Sequence, residues 1–143
     1  MLRPRIAVFV SGGGTNLQAL IDAEACGRLN SGALALVVAS KAGAFALERA
    51  KRAKIAGETV ARAAYATQEA YEESLLAVLN RHKIDVIVLA GFMQILSAKF
   101  VSHYPDRIVN VHPSLIPAYC GKGYYGIKVH EAVLAAGESE TGA

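Results

Sequence analysis

Two polar side chains, Asn110 and His112, interrupt an apolar run in the stretch RIVNVHPSLIP (107–117). In a β-strand, residues two apart point to the same side and lie about 7 Å apart along the chain. Pro113 has no backbone N–H to donate, so it ends the strand directly after the histidine. The spacing therefore predicts that the amide and the imidazole project together from the carboxyl end of a strand.

An amide beside an imidazole suits acid–base chemistry at a carbonyl group. Imidazole titrates near neutral pH and can transfer one proton, and an amide N–H can donate to an oxygen that becomes negative in a tetrahedral intermediate. Ser114 lies outside any Gly-x-Ser-x-Gly turn, and Cys120 has no predicted helix N-terminus behind it. Direct transfer to an amine is therefore favoured over a covalent acyl-enzyme. The alternative is a core histidine that hydrogen-bonds to the asparagine.

A glycine-rich loop, SGGGTNLQ (11–18), follows the first apolar run and predicts a phosphate site. Glycines let backbone N–H groups approach an anion, and a helix N-terminus adds a partial positive charge. Leu17 occupies the position of the third glycine of the dinucleotide fingerprint, and Ser40 and Lys41 stand where its acidic residue would be. A P-loop lysine is absent too. A single phosphate monoester is favoured, and an ordinary βα turn without a ligand is the alternative.

Short apolar runs alternate with amphipathic segments and supply the scaffold for these groups. The periodicity predicts strands over 5–10, 33–40, 57–62, 85–91 and 107–111, and helices over 15–27, 44–54, 67–83, 97–104 and 126–137. Strands that are apolar on both faces, 107–111 among them, indicate an α/β fold, a mainly parallel sheet with helices on both faces. Ligands bind at the carboxyl ends of such strands, where both polar motifs fall.

Composition restricts the classes of function. A chain of 143 residues with 53% hydrophobic and 19% charged residues fits one folded domain. The net charge of +3 is dispersed, which argues against a nucleic-acid partner. No apolar run is long enough to span a membrane, and the N-terminal one is too short for a signal peptide, which predicts a cytoplasmic protein. No metal-ligand spacing is present. Cys26 and Cys120 are predicted to be free thiols, with a single disulfide as the alternative.

Three segments together resemble the glycinamide ribonucleotide (phosphoribosylglycinamide) formyltransferase family of purine biosynthesis: SGGGTNLQ (11–18), AGFMQILS (90–97) and NVHPSLIPAYCGKGYYG (110–126). The resemblance covers the whole chain. It is closer to this branch than to methionyl-tRNA formyltransferases or formyltetrahydrofolate deformylases. It implies a three-layer Rossmann-like formyltransferase fold. It also implies transfer of the formyl group of 10-formyltetrahydrofolate to the glycine amine of 5-phosphoribosylglycinamide, a step of de novo IMP synthesis.

The resemblance also implies a role for each motif. The phosphate-binding positions of the family correspond to Gly14, Thr15 and Asn16. The folate-binding positions correspond to Met93, Gln94, Ile95, Leu96 and Asn110. In the catalytic pair, Asn110 would polarise the formyl oxygen and His112 would donate the proton. Gln68 stands where the family often has an arginine near the folate tail, and Gln94 where it often has a basic residue. The sequence alone assigns Arg62, Gln68 and Glu69 to a solvated face.

One expected group is missing from the sequence. The family's motif includes an aspartate downstream of the last helix, which orients the histidine, and the chain stops at Ala143 before that position. Residues 1–143 are therefore expected to be the N-terminal portion of a single formyltransferase domain and inactive alone. Small-molecule substrates, no metal, no membrane partner, and a monomer or homodimer are expected. The alternatives are a non-catalytic nucleotide- or phosphate-binding module and a formyltransferase for another amine acceptor.

Overall fold

The structure, a computed structural model, describes residues 3–110. Strands and helices alternate through this part of the chain, as the periodicity predicts. The strands are β1 Arg5–Val10, β2 Ala33–Ala39, β3 Ala56–Thr59, β4 Val86–Leu89 and β5 Ile108–Asn110. The helices are α1 Thr15–Ala25, α2 Phe45–Arg52, α3 Gln68–Arg81 and α4 Ala98–Val101, with a single 3₁₀ turn at Arg62–Ala64.

The strands form a five-stranded sheet in the order β3-β2-β1-β4-β5. β1 pairs in parallel with both β2 and β4, and β2 pairs in parallel with β3. The Ile87 N–H donates to the Arg107 carbonyl at 2.8 Å, beside β5. Because these four strands share one direction, the loops after β1, β2 and β4 leave the sheet at one edge.

Both faces of the sheet are covered, as the strand β1 shows. Ala7 and Phe9 belong to a buried cluster that includes apolar side chains of α3 and α4. Ile6, Val8 and Val10, which alternate with them, belong to a second cluster with side chains of α1 and α2. Alternate residues of a strand point to opposite faces, so a strand apolar throughout must be covered on both sides. The predicted three-layer α/β class is confirmed.

The boundaries of several elements differ from their predictions. The prediction of a third strand over 57–62 is wrong at its end, because β3 stops at Thr59 and Arg62 begins the 3₁₀ turn. The first helix ends at Ala25, since Gly27 adopts a left-handed conformation with a φ of 80°. The predicted helix over 126–137 lies outside the described residues.

The prediction of a buried strand over 107–111 is also wrong for the residues that the structure describes. β5 is an edge strand there, and Val109 is 52% exposed. The apolar residues of RIVNV indicated burial on two faces. Burial of β5, however, requires other elements alongside it, and within residues 3–110 it pairs with a strand on one side only.

Residues up to Val109 pack as one compact unit. The prediction that residues 1–143 belong to a single domain extends past the described part of the chain and stays a prediction. Within that described part, no helix combines the length and the hydropathy that crossing a membrane requires.

Candidate active site

The glycine loop after β1 is shaped by Gly14, the N-cap of α1. Its φ of 79° and ψ of 34° lie in the left-handed region, which side chains other than glycine rarely adopt. A Cβ at this position would lie 2.7 Å from Ala46 Cβ, so the close approach of α2 also requires a glycine. The Gly14 carbonyl accepts the first helical hydrogen bond from Gln18 N–H, at 2.8 Å.

The first turn of α1 is open toward an anion. The first N–H groups of a helix have no intrahelical acceptor, and this first turn carries no acidic side chain that would repel a negative charge. Thr15 and Asn16 are both exposed, so their side-chain polar groups are available beside the main-chain N–H groups. The predicted phosphate positions therefore lie together at an exposed, electropositive helix end.

Arg49 of helix α2 hydrogen-bonds to the glycine loop and to α1. Its Nε donates to the Gly13 carbonyl at 2.7 Å, and its Nη1 donates to Gln18 Oε1 at 3.2 Å. The Ala46 N–H donates to the Gly12 carbonyl at 3.2 Å. Sequence reasoning missed Arg49, because it lies far along the chain from the loop and in no recognisable motif.

The segment 93–96, which follows β4, lies against the glycine loop. The Met93 N–H donates to Ser11 Oγ at 2.8 Å, and Ser11 Oγ lies 2.6 Å from Ser40 Oγ at the end of β2. Both serines are buried. The structure thus brings two of the sequence-predicted binding segments together at the carboxyl edge, joined by a serine pair that the sequence did not reveal.

The segment presents apolar side chains to solvent. Met93 is 45% exposed and Ile95 is 86% exposed, while Gln94 and Leu96 are half-buried. Leu96 packs against the core cluster that includes Phe100. Met93 and Ile95 thus form an exposed apolar strip beside the predicted phosphate positions, and such a strip can contact the flat, apolar ring of a ligand.

Gln68 contacts this segment directly from the first turn of α3. Its Nε2 donates to the Ile95 carbonyl at 2.9 Å and to Glu72 Oε2 at 2.8 Å. Its Oε1 accepts from Arg62 Nε at 3.2 Å. The solvated face predicted for Arg62, Gln68 and Glu69 is therefore wrong for the first two, which are half-buried and hydrogen-bonded, while Glu69 is exposed.

Glu72, one turn further along α3, is buried with 6% of its surface exposed. Its carboxylate accepts from the Ser97 N–H at 2.7 Å, from the Ser97 hydroxyl and from Gln68. Burial alone would raise the pKa of Glu72. The hydrogen bonds from Ser97 and Gln68, with the charge of Lys99, outweigh burial and hold that pKa below its ordinary value. The carboxylate is ionised at neutral pH.

Ser97 joins this network to α4. Its side chain accepts from the Phe100 N–H at 3.2 Å and so caps the helix. The segment from Met93 to Ser97 is thus bounded by a serine of the glycine loop at one end and a helix cap at the other.

Of the predicted catalytic pair, Asn110 is the last residue of β5 and is exposed. His112 lies outside the described residues, as does Cys120. Cys26 is a free, exposed thiol. Among residues 3–110, no group of three or more His, Cys, Asp or Glu side chains is arranged to hold a metal ion.

Comparison with known proteins shows the family of this chain. The profile of the family described as formyl transferase matches residues 4–143. The chain belongs to the formyl transferase family. That membership covers both binding segments and the Asn110–His112 pair in one alignment, so the sequence resemblance to formyltransferases is confirmed at the family level.

Individual proteins are similar to this chain in sequence and in structure. The chain is 44% identical to phosphoribosylglycinamide formyltransferase of Escherichia coli, over 96% of this chain and 62% of that protein. It is 37% identical to the human trifunctional purine biosynthetic protein adenosine-3, of which it spans 13%. Glycinamide ribonucleotide transformylase 1 of Geobacillus kaustophilus matches with a TM-score of 0.88 and 39% identity, over 98% of this chain and 71% of that one. The chain thus spans about three fifths of the length of the E. coli formyl transferase.

Proposed function

We propose that this protein is a phosphoribosylglycinamide formyltransferase that acts in purine biosynthesis. It would transfer the formyl group of 10-formyltetrahydrofolate to the glycine amine of 5-phosphoribosylglycinamide. The observation that carries the proposal is the 44% identity with the E. coli protein of that name, which extends over 96% of this chain. We assign residues 1–143 to a single formyltransferase domain.

The phosphate of the ribonucleotide is assigned to the start of α1. Gly14, Thr15 and Asn16 would bind it with main-chain N–H groups and two side-chain donors. The left-handed Gly14, the absence of acidic residues from the first turn of α1 and the exposure of the two side chains support this assignment. One phosphate monoester matches the size of a single helix N-terminus.

The folate is assigned to the segment 93–96 and to Asn110. The exposed apolar side chains of Met93 and Ile95 would contact the pterin ring, and the hydrogen bond from Met93 to Ser11 supports a location beside the phosphate site. The two substrates would therefore meet at the carboxyl edge of the sheet, which is where α/β folds bind ligands.

The transfer itself is assigned to Asn110, the last residue of β5, and to His112. The amine nitrogen would form a bond to the formyl carbon, and Asn110 would donate a hydrogen bond to the oxygen as it becomes negative. The bond from the carbon to N10 of the folate then breaks, His112 donates a proton to that nitrogen, and the amine releases a proton. No covalent enzyme intermediate is needed.

The test is an assay of the full product of the gene that encodes this chain. Incubation with 10-formyltetrahydrofolate and 5-phosphoribosylglycinamide should yield tetrahydrofolate and the N-formyl product, measured by absorbance and by mass spectrometry. The unphosphorylated ribosylglycinamide is the matched control and should react with a much higher KM. Binding of the ribonucleotide without any transfer would identify a binding module instead, and transfer only to a different amine would identify another acceptor.

A further inference from the structure

The segment from Met93 to Ser97 is held through its main chain at three places. The Met93 N–H donates to Ser11, the Ile95 carbonyl accepts from Gln68, and the Ser97 N–H donates to Glu72. Two of these three contacts depend on side chains of α3. Two apolar side chains of this segment are exposed, Met93 at 45% and Ile95 at 86%.

We propose that Glu72 is a positioning residue for the folate, acting through Gln68 and Ser97 to fix the 93–97 segment; this inference rests on the proposed function. Within residues 3–110 the Glu72 carboxylate hydrogen-bonds to Gln68 and Ser97, and not to the predicted folate-binding residues 93–96. Its carboxylate holds Ser97 with both oxygens and orients the amide of Gln68, which in turn holds the Ile95 carbonyl.

The chemistry of the network favours an ionised carboxylate at this position. Glu72 faces three donors, the Ser97 N–H, the Ser97 hydroxyl and the Gln68 amide. A carboxylate can accept from all of them. A neutral amide of the same shape would turn its N–H₂ group either toward the two N–H donors or toward the Ser97 hydroxyl, which would then lose its acceptor. Charge-assisted hydrogen bonds are also roughly twice as strong as neutral ones.

The same contacts assign Gln68 a different role from the one that the family resemblance implies. Both polar ends of its amide are engaged, with Nε2 on Ile95 and Glu72 and Oε1 on Arg62. A folate tail could bind to this side chain only if those bonds broke. Gln68 therefore orders the main chain of the proposed folate segment, from the position where the family resemblance implies an arginine.

The experiment substitutes Glu72→Gln in the full product of the gene. The KM for 10-formyltetrahydrofolate should rise about tenfold, the effect of one lost charge-assisted hydrogen bond. The KM for the ribonucleotide and kcat should stay within about twofold, because the glycine loop and the catalytic pair are unchanged. Calorimetry with tetrahydrofolate should show the same tenfold loss of affinity, and this readout does not require transfer.

Two matched controls separate positioning from general destabilisation. Glu69→Gln removes a neighbouring exposed carboxylate whose partner is Lys99 at 3.2 Å on the surface. It should change neither kcat, nor either KM, nor the affinity for tetrahydrofolate. Val78→Ala destabilises the same helix from a buried position six residues beyond Glu72, and it should lower thermal stability without changing folate affinity. A folate KM that rises equally in Val78→Ala would overturn the proposal.

A second variant covers the case in which Glu72→Gln does not fold. Gln68→Met keeps the length of a half-buried side chain and removes its bond to Ile95, so it should raise the folate KM in the same direction. An unchanged tetrahydrofolate affinity in both variants overturns the positioning role while leaving the proposed function intact. A wild-type protein that binds the folate but transfers no formyl group refutes the proposed function, not the positioning.

Discussion

Gly14 carries two separate constraints, and each has its own energetic cost when it is violated. One is local, since a φ of 79° strains any residue with a Cβ. The other is tertiary, since a Cβ would overlap Ala46 of α2. The glycine-rich pattern indicated the first constraint, whereas the second arises from the packing of α2 against the loop. Both apply at the position where we place the phosphate.

Gly14→Ala should therefore lower the free energy of unfolding by about 2–4 kcal/mol, from backbone strain and overpacking together, and should raise the KM for the ribonucleotide at least about tenfold. Gly27→Ala is the control, because Gly27 has a φ of 80° but open space around its Cβ position. The free energy of unfolding of Gly27→Ala should fall by only about 1–2 kcal/mol, and its KM for the ribonucleotide should be unchanged. Urea denaturation measures both. Equal losses in the two variants would contradict a packing constraint at Gly14.

His112 is the residue on which the proposed chemistry most depends. His112→Ala should reduce kcat by about 10²–10⁴-fold, the range for a general acid, while calorimetry should show unchanged affinity for the ribonucleotide. His103→Ala removes an exposed histidine of the described part of the chain and should leave kcat unchanged. Transfer at the wild-type rate in His112→Ala would assign the proton donor to another group.

At the scale of the elements, helix α3 has two sets of inward-facing residues with different roles. Tyr71, Leu75 and Leu79 are fully buried in the core, while Gln68 and Glu72 form the polar network that holds the segment after β4. Apolar periodicity predicted the helix, but the sequence assigned Gln68, in its first turn, to a solvated face and did not single out Glu72. A buried glutamate on a core helix indicates a function or a precise polar contact, and here the contact is Ser97.

Tyr71 gives a pH-dependent prediction for this helix. Its hydroxyl finds no hydrogen-bond partner among the described residues, and burial raises its pKa to about 12. Tyr71→Phe should therefore change stability at pH 7 by less than about 1 kcal/mol, or increase it. In the unfolded chain the phenol ionises near pH 10, so the wild type should lose about 2 kcal/mol relative to the variant as the pH rises from 10 to 12.

Denaturation of both proteins across that pH range provides the measurement. The difference between them cancels the other groups that titrate in alkali. If the free energies of unfolding of the wild type and of Tyr71→Phe change in parallel up to pH 12, the Tyr71 hydroxyl is solvated in the folded protein.

For the molecule as a whole, the strand order explains how distant segments form one site. β1 and β4 are neighbours in the sheet, so the loops that follow them leave it side by side. Ser11 joins three of these strand ends, because it bonds to Ser40 after β2 and to Met93 after β4. The carboxyl edge is thus a connected polar network rather than a set of independent loops.

Substitutions at the serine pair should reveal this connection. Ser11→Ala leaves both the Met93 N–H and the Ser40 hydroxyl without their partner and should cost about 2–3 kcal/mol, whereas Ser40→Ala removes one bond and should cost about 1 kcal/mol. The double variant should cost less than their sum by about 1 kcal/mol. Ser102→Ala, on the surface, should cost little. Strict additivity in urea denaturation would contradict the pairing.

Local patterns were enough to predict the α/β class, the glycine loop and the segments at the strand ends. Period-two and helical spacing depend only on neighbouring residues, and the carboxyl-edge rule then assigns the loops to one side. The same patterns failed for β5, whose apolar residues predicted burial. They also failed for Arg62 and Gln68, whose polar side chains predicted exposure to solvent. Burial depends on which elements lie alongside, and no local pattern contains that information.

The residue types and their spacing thus determined the class of fold, the candidate chemistry of Asn110 and His112, and the strand-end segments in which ligand binding was expected. Only the tertiary structure decided that Ser11 would bond to Met93, 82 residues away, that α2 would require a glycine at position 14, and that Glu72 would hold Ser97. Each of these contacts joins elements that are remote in sequence, and their geometry follows from the strand order and helix packing.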